Sequence, residues 1–397
     1  MQAASKLAEK VLGHDSASTE AGLSNPAQDM GKNEVQVIDT YKSKLVDPTD
    51  VILKVTGTTI CGSDLHLYHG VQLSKGDILG HEFCGIADSV GSSVTNLKPG
   101  QRVVASSQIA CGTCRFCEQK LSSMCESTNP SSLHNAMYGS RTLGTLGYSH
   151  FTRGFAGGQA EFVRMPFGGV NLLVVPGWDG IELFLSDVLP TSYHALQDTR
   201  VYEKDTVAIW GRGPIGIMVA VFAFMDGVEA GNYRLLYSSL PRGTTVTAKI
   251  HELVPGGVGA SIEWGAHYFE MALGLETDAS EILNEMVTST RKFGRCGIKG
   301  IYAGLTNHFN VGSLMERGIR FIGNGQAPVH MYWQKLLKMV ENEEFDPRII
   351  LSHRLQIEDM AKLYKKFDAK ENGIVKPFVQ TRFPAPRKAG PELGRLD

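Results

Sequence analysis

Thr206-Val-Ala-Ile-Trp210-Gly211-Arg-Gly213-Pro-Ile-Gly216-Ile-Met-Val-Ala-Val-Phe-Ala-Phe-Met225 decides the fold of half this chain. Its first five residues have the apolar pattern of a buried strand, a glycine turn follows, and 215–225 reads as a buried helix. A lone Gly-x-Gly-x-x-Gly says little. Between a strand and a helix, its glycines let backbone amides and the helix N-terminus approach a pyrophosphate. The expected fold class is therefore α/β, and Gly211, Gly213, Pro214, Ile215 and Gly216 are the candidate dinucleotide contacts. Working outward, strands are expected at 233–237, 298–303 and 320–323, an amphipathic helix at 357–367 and a closing strand at 375–380. Before residue 190 the style differs. Short β-type runs at 35–38, 51–55 and 101–105, separated by Gly and Pro, predict an irregular β-rich domain.

At 397 residues, with 42% hydrophobic content, the chain suits two domains and can bury a core in each. A formal charge of −2 without a Lys/Arg block recommends neither nucleic acid nor an anionic membrane as partner, which leaves small molecules. The longest apolar run, 217–225, is far short of the ~20 residues that cross a bilayer. Residues 1–33 carry both charge signs and no long apolar core, so they are expected as a flexible extension, neither secretory signal nor transit peptide.

Four of the seven cysteines fall in Cys111-Gly-Thr-Cys114-Arg-Phe-Cys117-Glu-Gln-Lys-Leu-Ser-Ser-Met-Cys125. Four thiolates on one short loop can close a tetrahedron around Zn²⁺ without a partner segment, and such a saturated site stabilises and does no chemistry. A disulfide pair or unrelated thiols would be the bland alternative, and iron–sulfur proteins use other spacings. Reduced thiols point to the cytosol. A second constellation starts at Cys61, in Ile60-Cys61-Gly-Ser63-Asp64-Leu-His66, and continues at Leu79-Gly80-His81-Glu82-Phe83. One thiol and one imidazole make half of an open zinc site, which needs a third protein ligand that spacing alone does not name.

In order, Cys61-Gly62-Ser63-Asp64, Gly80-His81-Glu82-x-x-Gly85, the four-cysteine loop and Gly211-x-Gly213-Pro-Ile-Gly216 resemble zinc-dependent medium-chain dehydrogenases, over nearly everything from 34 to 380. Within them, Cys61-Gly-Ser-Asp-Leu-His-Leu-Tyr-His69, Gly147-Tyr-Ser-His-Phe151, Gly157-Gly-Gln-Ala-Glu-Phe162 and Leu185-Ser-Asp-Val-Leu-Pro-Thr191 are similar to the glutathione-independent formaldehyde dehydrogenase subgroup. The resemblance implies a GroES-like β-rich catalytic domain at 34–188 completed by 345–380, a Rossmann-type NAD(P) domain at 189–344, and a flexible tail at 381–397. It also implies Cys61, His81 and Asp187 as catalytic zinc ligands, with Glu82 able to enter the coordination sphere and Asp64 steadying a ligand. The rival reading of Asp187 is a helix N-cap. Ser63 would bond the substrate alcohol, His66 would carry its proton to solvent, and Lys376 would meet cofactor phosphate. His150 and Phe151 would line the substrate wall, and Gly304-Leu-Thr-Asn307 would lie by the nicotinamide.

The expected activity is hydride transfer between a zinc-bound alcohol or aldehyde hydrate and NAD or NADP, with two zinc ions per chain, in a cytoplasmic homo-oligomer. One departure stands out. No acid follows the second strand, where NAD's ribose is usually held. Ser238, Ser239 and Arg242 would instead receive a 2′-phosphate, or the strand has lost a segment. Set beside the family it resembles, the chain also reads as abbreviated around 256–264. The rivals are a non-catalytic zinc scaffold with a degenerate nucleotide pocket and a zinc hydrolase.

Overall fold

The computed structural model describes residues 19–24, 27–69, 74–177, 180–228, 244–263, 280–300, 302, 306–383 and 390–396. They form two compact units, 1–186 with 351–397 and 187–350. Among them no helix is long and apolar enough to cross a membrane.

In the first unit a seven-stranded mixed sheet runs in the order Leu172–Val174, Arg102–Ala105, Phe83–Val90, Val51–Thr58, Lys376–Gln380, Leu351–Gln356, with Phe162–Met165 also paired to Val51–Thr58. Only the last pair in that order is parallel. Val51, Leu53 and Val55 alternate into one core with Phe83, Val103, Ala105, Val163 and Met165, the period-two alternation of side chains along a strand. A second core joins Ile60, Leu67 and Tyr68 to Leu355, Met360, Leu363 and Tyr364. It holds the short helix Asp64–Tyr68 against Met360–Asp368, the helix expected at 357–367. The strand expected at 375–380 is Lys376–Gln380.

The ends differ from expectation. Within 1–33, Thr19–Ser24 pairs with Thr40–Ser43, and Ala27–Gly31 forms a hairpin with Glu34–Val37. Its turn uses Asn33 at φ 61, a left-handed conformation that asparagine tolerates well, and buries Ala27 and Val35 in the second core. Within the expected flexible tail, 390–396 is also folded. Gly394 N–H donates to Arg354 O (2.9 Å), Lys362 Nζ to Leu396 O (2.8 Å), and Leu396 is 6% exposed. Leu396 in the second core, these hydrogen bonds and an Arg395–Asp359 ion pair at 2.9 Å dock this segment.

In the second unit four parallel strands, Val207–Trp210, Val258–Glu263, Thr290–Ile298 and Arg320–Gly323, pair in that order among the described residues. The first and last stand where expected, and the helix Pro214–Met225 follows the glycine turn. The strand expected at 298–303 instead ends at Ile298. Its charged residues masked it in the sequence. Arg295 is buried because Asp205 Oδ2 accepts from its Nη2 at 2.5 Å and its guanidinium lies over the Tyr202 ring at 4.4 Å. The strand expected at 233–237, together with Ser238, Ser239 and Arg242, lies outside the described residues.

This unit carries a titration signature. Burial, then the Lys299 charge, pushes the His194 imidazole down to about 3 from 6.5, while its Nδ1 pairs with the Tyr332 hydroxyl at 2.9 Å. A histidine held neutral by the fold binds fewer protons than the unfolded chain. Its stabilisation is therefore full above pH 6.5 and is lost as pH falls toward about 3. Denaturant unfolding across that window should decline with acid, by at most ~1.4 kcal/mol per pH unit from this group. His194→Gln should flatten the slope, and parallel profiles would refute the assignment.

Candidate active site

The four-cysteine loop closes on itself. Cys114 and Cys117 sulfurs lie 3.5 Å apart, Cys111 and Cys117 3.9 Å, and Cys114 and Cys125 4.0 Å. Ligands ~2.3 Å from a central Zn²⁺ in a tetrahedron stand roughly 3.8 Å from one another, so the donor set fits the ion. The separations are too long for disulfides. Although burial opposes it, the N–H groups of Thr113 (3.5 Å) and Cys114 (3.3 Å) hold the Cys111 thiol down to about 6, which suits a thiolate ligand.

The second group assembles from distant segments. Cys61 follows the strand Val51–Thr58, and His81 and Glu82 immediately precede Phe83–Val90, the strand paired with it. Ser186 Oγ donates to Ala105 O (2.6 Å) and His81 O (3.3 Å), fixing the chain just before Asp187. One ligand atom each of Cys61, His81, Glu82 and Asp187 then lies within 4.8 Å of the others. Asp187 starts the helix Val188–Asp198 without capping it through its side chain, and its Oδ1 accepts from Thr191 Oγ1 at 2.5 Å.

Asp64, 1% exposed, organises this group from behind. Its Oδ1 stands 3.2 Å from His81 Nδ1, and its Oδ2 accepts from Cys61 N–H (2.9 Å) and Gln159 Nε2 (3.3 Å). His81 Nε2 is left facing Glu82, 3.8 Å from Oε1. A thiol and two carboxylates gathered beside a buried imidazole, with a further buried carboxylate behind, is a donor set that a divalent cation satisfies and that would be costly without one. The arrangement fits zinc.

Lys376 has a carboxylate partner in this site. It is 2% exposed, and its ammonium donates to Glu82 Oε1 at 2.5 Å and to Ile60 O at 3.4 Å. The structure sets it beside the carboxylate of Glu82. Ser63 precedes the helix Asp64–Tyr68 and its hydroxyl makes no capping bond. His66 is 8% exposed, and burial, then the His69 charge, holds its imidazole below the ordinary 6.5. His150 is more open, with Nε2 2.8 Å from Asp77 Oδ2, and Phe151 packs on His134 and Tyr138. Residues that the sequence reading missed include Gln159, which holds Asp64 while accepting from Tyr364 OH (2.8 Å), and Tyr148, whose ring meets His81 edge-on at 5.8 Å. The only signal for either was its place inside a glycine-flanked motif.

At the glycine turn, Gly211 has φ 106, and a Cβ on Gly216 would come within 2.1 Å of Gly211 O. Gly213 precedes Pro214 at the start of the helix Pro214–Met225. Loop and helix thus approach more closely than any side chain allows, as a dinucleotide cradle requires. Val258–Glu263 ends at buried Glu263, whose Oε1 accepts Gly300 N–H at 2.9 Å. Thr306 and Asn307 of the expected nicotinamide turn are described, while Gly304 and Leu305 are not.

Comparisons with known proteins agree with this chemistry. Residues 47–176 match the alcohol dehydrogenase GroES-like domain family. The chain is 34% identical to a zinc-type alcohol dehydrogenase-like protein of Schizosaccharomyces pombe, an alignment covering 93% of this chain and 96% of that one. It is 28% identical to a glutathione-independent formaldehyde dehydrogenase of Pseudomonas aeruginosa, over 88% and 95% of the two chains. Among solved structures, an alcohol dehydrogenase from Thermus sp. ATN1 superposes with a TM-score of 0.76 at 27% identity, covering 90% of this chain and all of that one.

Proposed function

We propose, for a chain that belongs to the zinc-dependent alcohol dehydrogenase family and is an oxidoreductase, that Cys61, His81 and Asp187 hold a catalytic zinc. The reaction would be the NAD(P)-linked oxidation of small alcohols and aldehyde hydrates. The observation that carries this reading is the convergence of Cys61, His81, Glu82 and Asp187 within 4.8 Å. Bound zinc supplies a Lewis acid that makes a substrate hydroxyl easier to deprotonate, and a nicotinamide supplies the hydride acceptor that no side chain can be.

The remaining work falls to this chain's own groups. Ser63 Oγ takes the substrate's hydroxyl proton, and His66, kept neutral by burial, receives it for release to solvent. Asp64 Oδ1, 3.2 Å from His81 Nδ1, sets a negative charge behind the imidazole. Lys376 balances Glu82 and draws that carboxylate to one side, so Glu82 stays near the metal group without being a fixed ligand. The glycines at 211, 213 and 216 admit the pyrophosphate. A second zinc in the four-cysteine loop would be structural, and its thiolates suit a reducing compartment, which we read as the cytosol.

The direct test is turnover of zinc-loaded protein with primary alcohols and aldehydes, plus NAD or NADP, following reduced nicotinamide, acid and alcohol. Reduction of either nucleotide supports the reading, as does conversion of aldehyde to equal acid and alcohol without added cofactor. Ser63→Ala should lower kcat by roughly 10²-fold or more while leaving nucleotide binding intact. The acid limb of the pH profile should lie below pH 6.5, because the His66 imidazole is depressed from that value. Folded, zinc-loaded protein that binds neither nucleotide and leaves every substrate untouched would refute this function.

A further inference from the structure

Tyr148 takes no part in the reaction as described, yet the fold fixes it against the metal group. Gly80 and Gly147 lie backbone on backbone, and a Cβ on Gly147 would come 2.4 Å from Gly80 O and 2.5 Å from Gly80 N. The next residue on each segment is therefore forced beside its counterpart. His81 and Tyr148 meet with ring planes at 81°. Ser63, Cys61 and Asp64 are, with His81, the groups near enough to the Tyr148 phenol to act on it. A phenol ionises far above neutrality, so this side chain is a hydroxyl that can both donate and accept.

Two neutral hydroxyls thus meet beside the candidate ligands. A simple alcohol brings one oxygen, which Ser63 suffices to engage. An aldehyde hydrate brings two hydroxyls on one carbon. When the first loses its proton through Ser63, the second stays on carbon and needs a partner in a site with little water. We propose that Tyr148 is a specificity-determining residue that hydrogen-bonds this second hydroxyl, favouring oxidation of hydrated aldehydes to carboxylic acids over oxidation of simple alcohols. The inference rests on the hydride-transfer reading above.

The step balances. The hydrate carbon gives a hydride to oxidised nicotinamide, and one hydroxyl gives its proton through Ser63 and becomes the carbonyl. The other hydroxyl remains as the acid's OH and ionises into solvent. A site built to bond a substrate hydroxyl discriminates against the analogue without it, because its own polar group is then left poorly paired.

Tyr148→Phe tests this, since it keeps the ring against His81 and removes only the hydroxyl. Zinc-loaded Tyr148→Phe should oxidise aldehyde to acid about tenfold more slowly in kcat/KM than wild type while oxidising the matching primary alcohol within threefold. Ser63→Ala should lose both reactions. Calorimetric titration with acetate, which presents the product's two oxygens and needs no cofactor, should show about tenfold weaker binding to Tyr148→Phe. Equal acetate affinity of the two proteins, or parallel loss of both oxidations, would overturn the proposal. Wild-type protein inert toward every substrate but still binding acetate through Tyr148 would instead overturn the hydride-transfer reading and leave the contact standing.

Discussion

His81→Ala should lower kcat/KM for alcohol oxidation by at least ~10³-fold, about 4 kcal/mol of transition-state stabilisation, and should remove one zinc ion per chain. The size follows from how the group is built. His81 is 5% exposed, between Asp64 on Nδ1 and Glu82 on Nε2. Deleting the ring leaves Cys61 and Asp187 without the neutral ligand that completes an open tetrahedral site, and leaves buried Asp64 facing a void. Asp64→Asn gives a graded contrast. It retains the three proposed ligands and an oxygen able to accept from Cys61 N–H, but it loses the charge behind the imidazole. Loss of such support typically costs 10- to 100-fold in metal affinity or activity. Zinc content by elemental analysis, set beside kcat/KM, separates the two cases. If His81→Ala keeps full zinc content and rate, the metal group does not do this chemistry.

Legibility in the sequence followed the range of each interaction. The four-cysteine loop was readable because its sulfurs, all within 4.8 Å of one another, are neighbours in the chain, and the glycine turn because strand, turn and helix are consecutive. Cys61 and His81 were readable as half a site, since each borders one of two paired strands. Asp187 could be named only by resemblance. It is delivered by Ser186, whose hydroxyl grips the main chain at Ala105 and His81, and no local spacing encodes that grip. Lys376 and Glu82 are 294 residues apart in sequence, so a lysine that reads locally as a surface or phosphate contact becomes a buried counter-ion. Tyr148 was hidden for a related reason, because its position comes from two glycines in separate segments whose backbones touch. The folded ends were missed where the Asn33 turn and the contacts around Leu396 do work that longer apolar runs usually advertise. Arg295, by contrast, made a true strand look too polar to be one.

The four-cysteine loop should behave as a structural zinc site in the strict sense that its metal replaces a hydrophobic core. Little else holds the segment. The helix Arg115–Glu118 is four residues long with no buried side chain, and the local cluster consists of Cys111, Cys125 and Leu143, with Cys114, Cys117 and Phe167 partly buried around them. Apart from Leu143 and Phe167, its members are the four cysteines themselves. Cys125 is 0% exposed, so Cys125→Ser puts a hydroxyl where a thiolate belongs and leaves three sulfurs that cannot saturate the ion. The variant should lose one zinc per chain and on the order of 4 kcal/mol or more of stability, since the binding free energy of such a site is folding free energy. The other three thiols, protected from a thiol reagent in the native protein, should then react. Zinc at the proposed Cys61, His81 and Asp187 site should remain in whatever fraction stays folded, because those residues do not depend on these sulfurs. A variant with unchanged zinc content and thiols still protected would show that Cys125 is no ligand; normal stability after loss of one zinc would show that the metal is bound there without holding the loop.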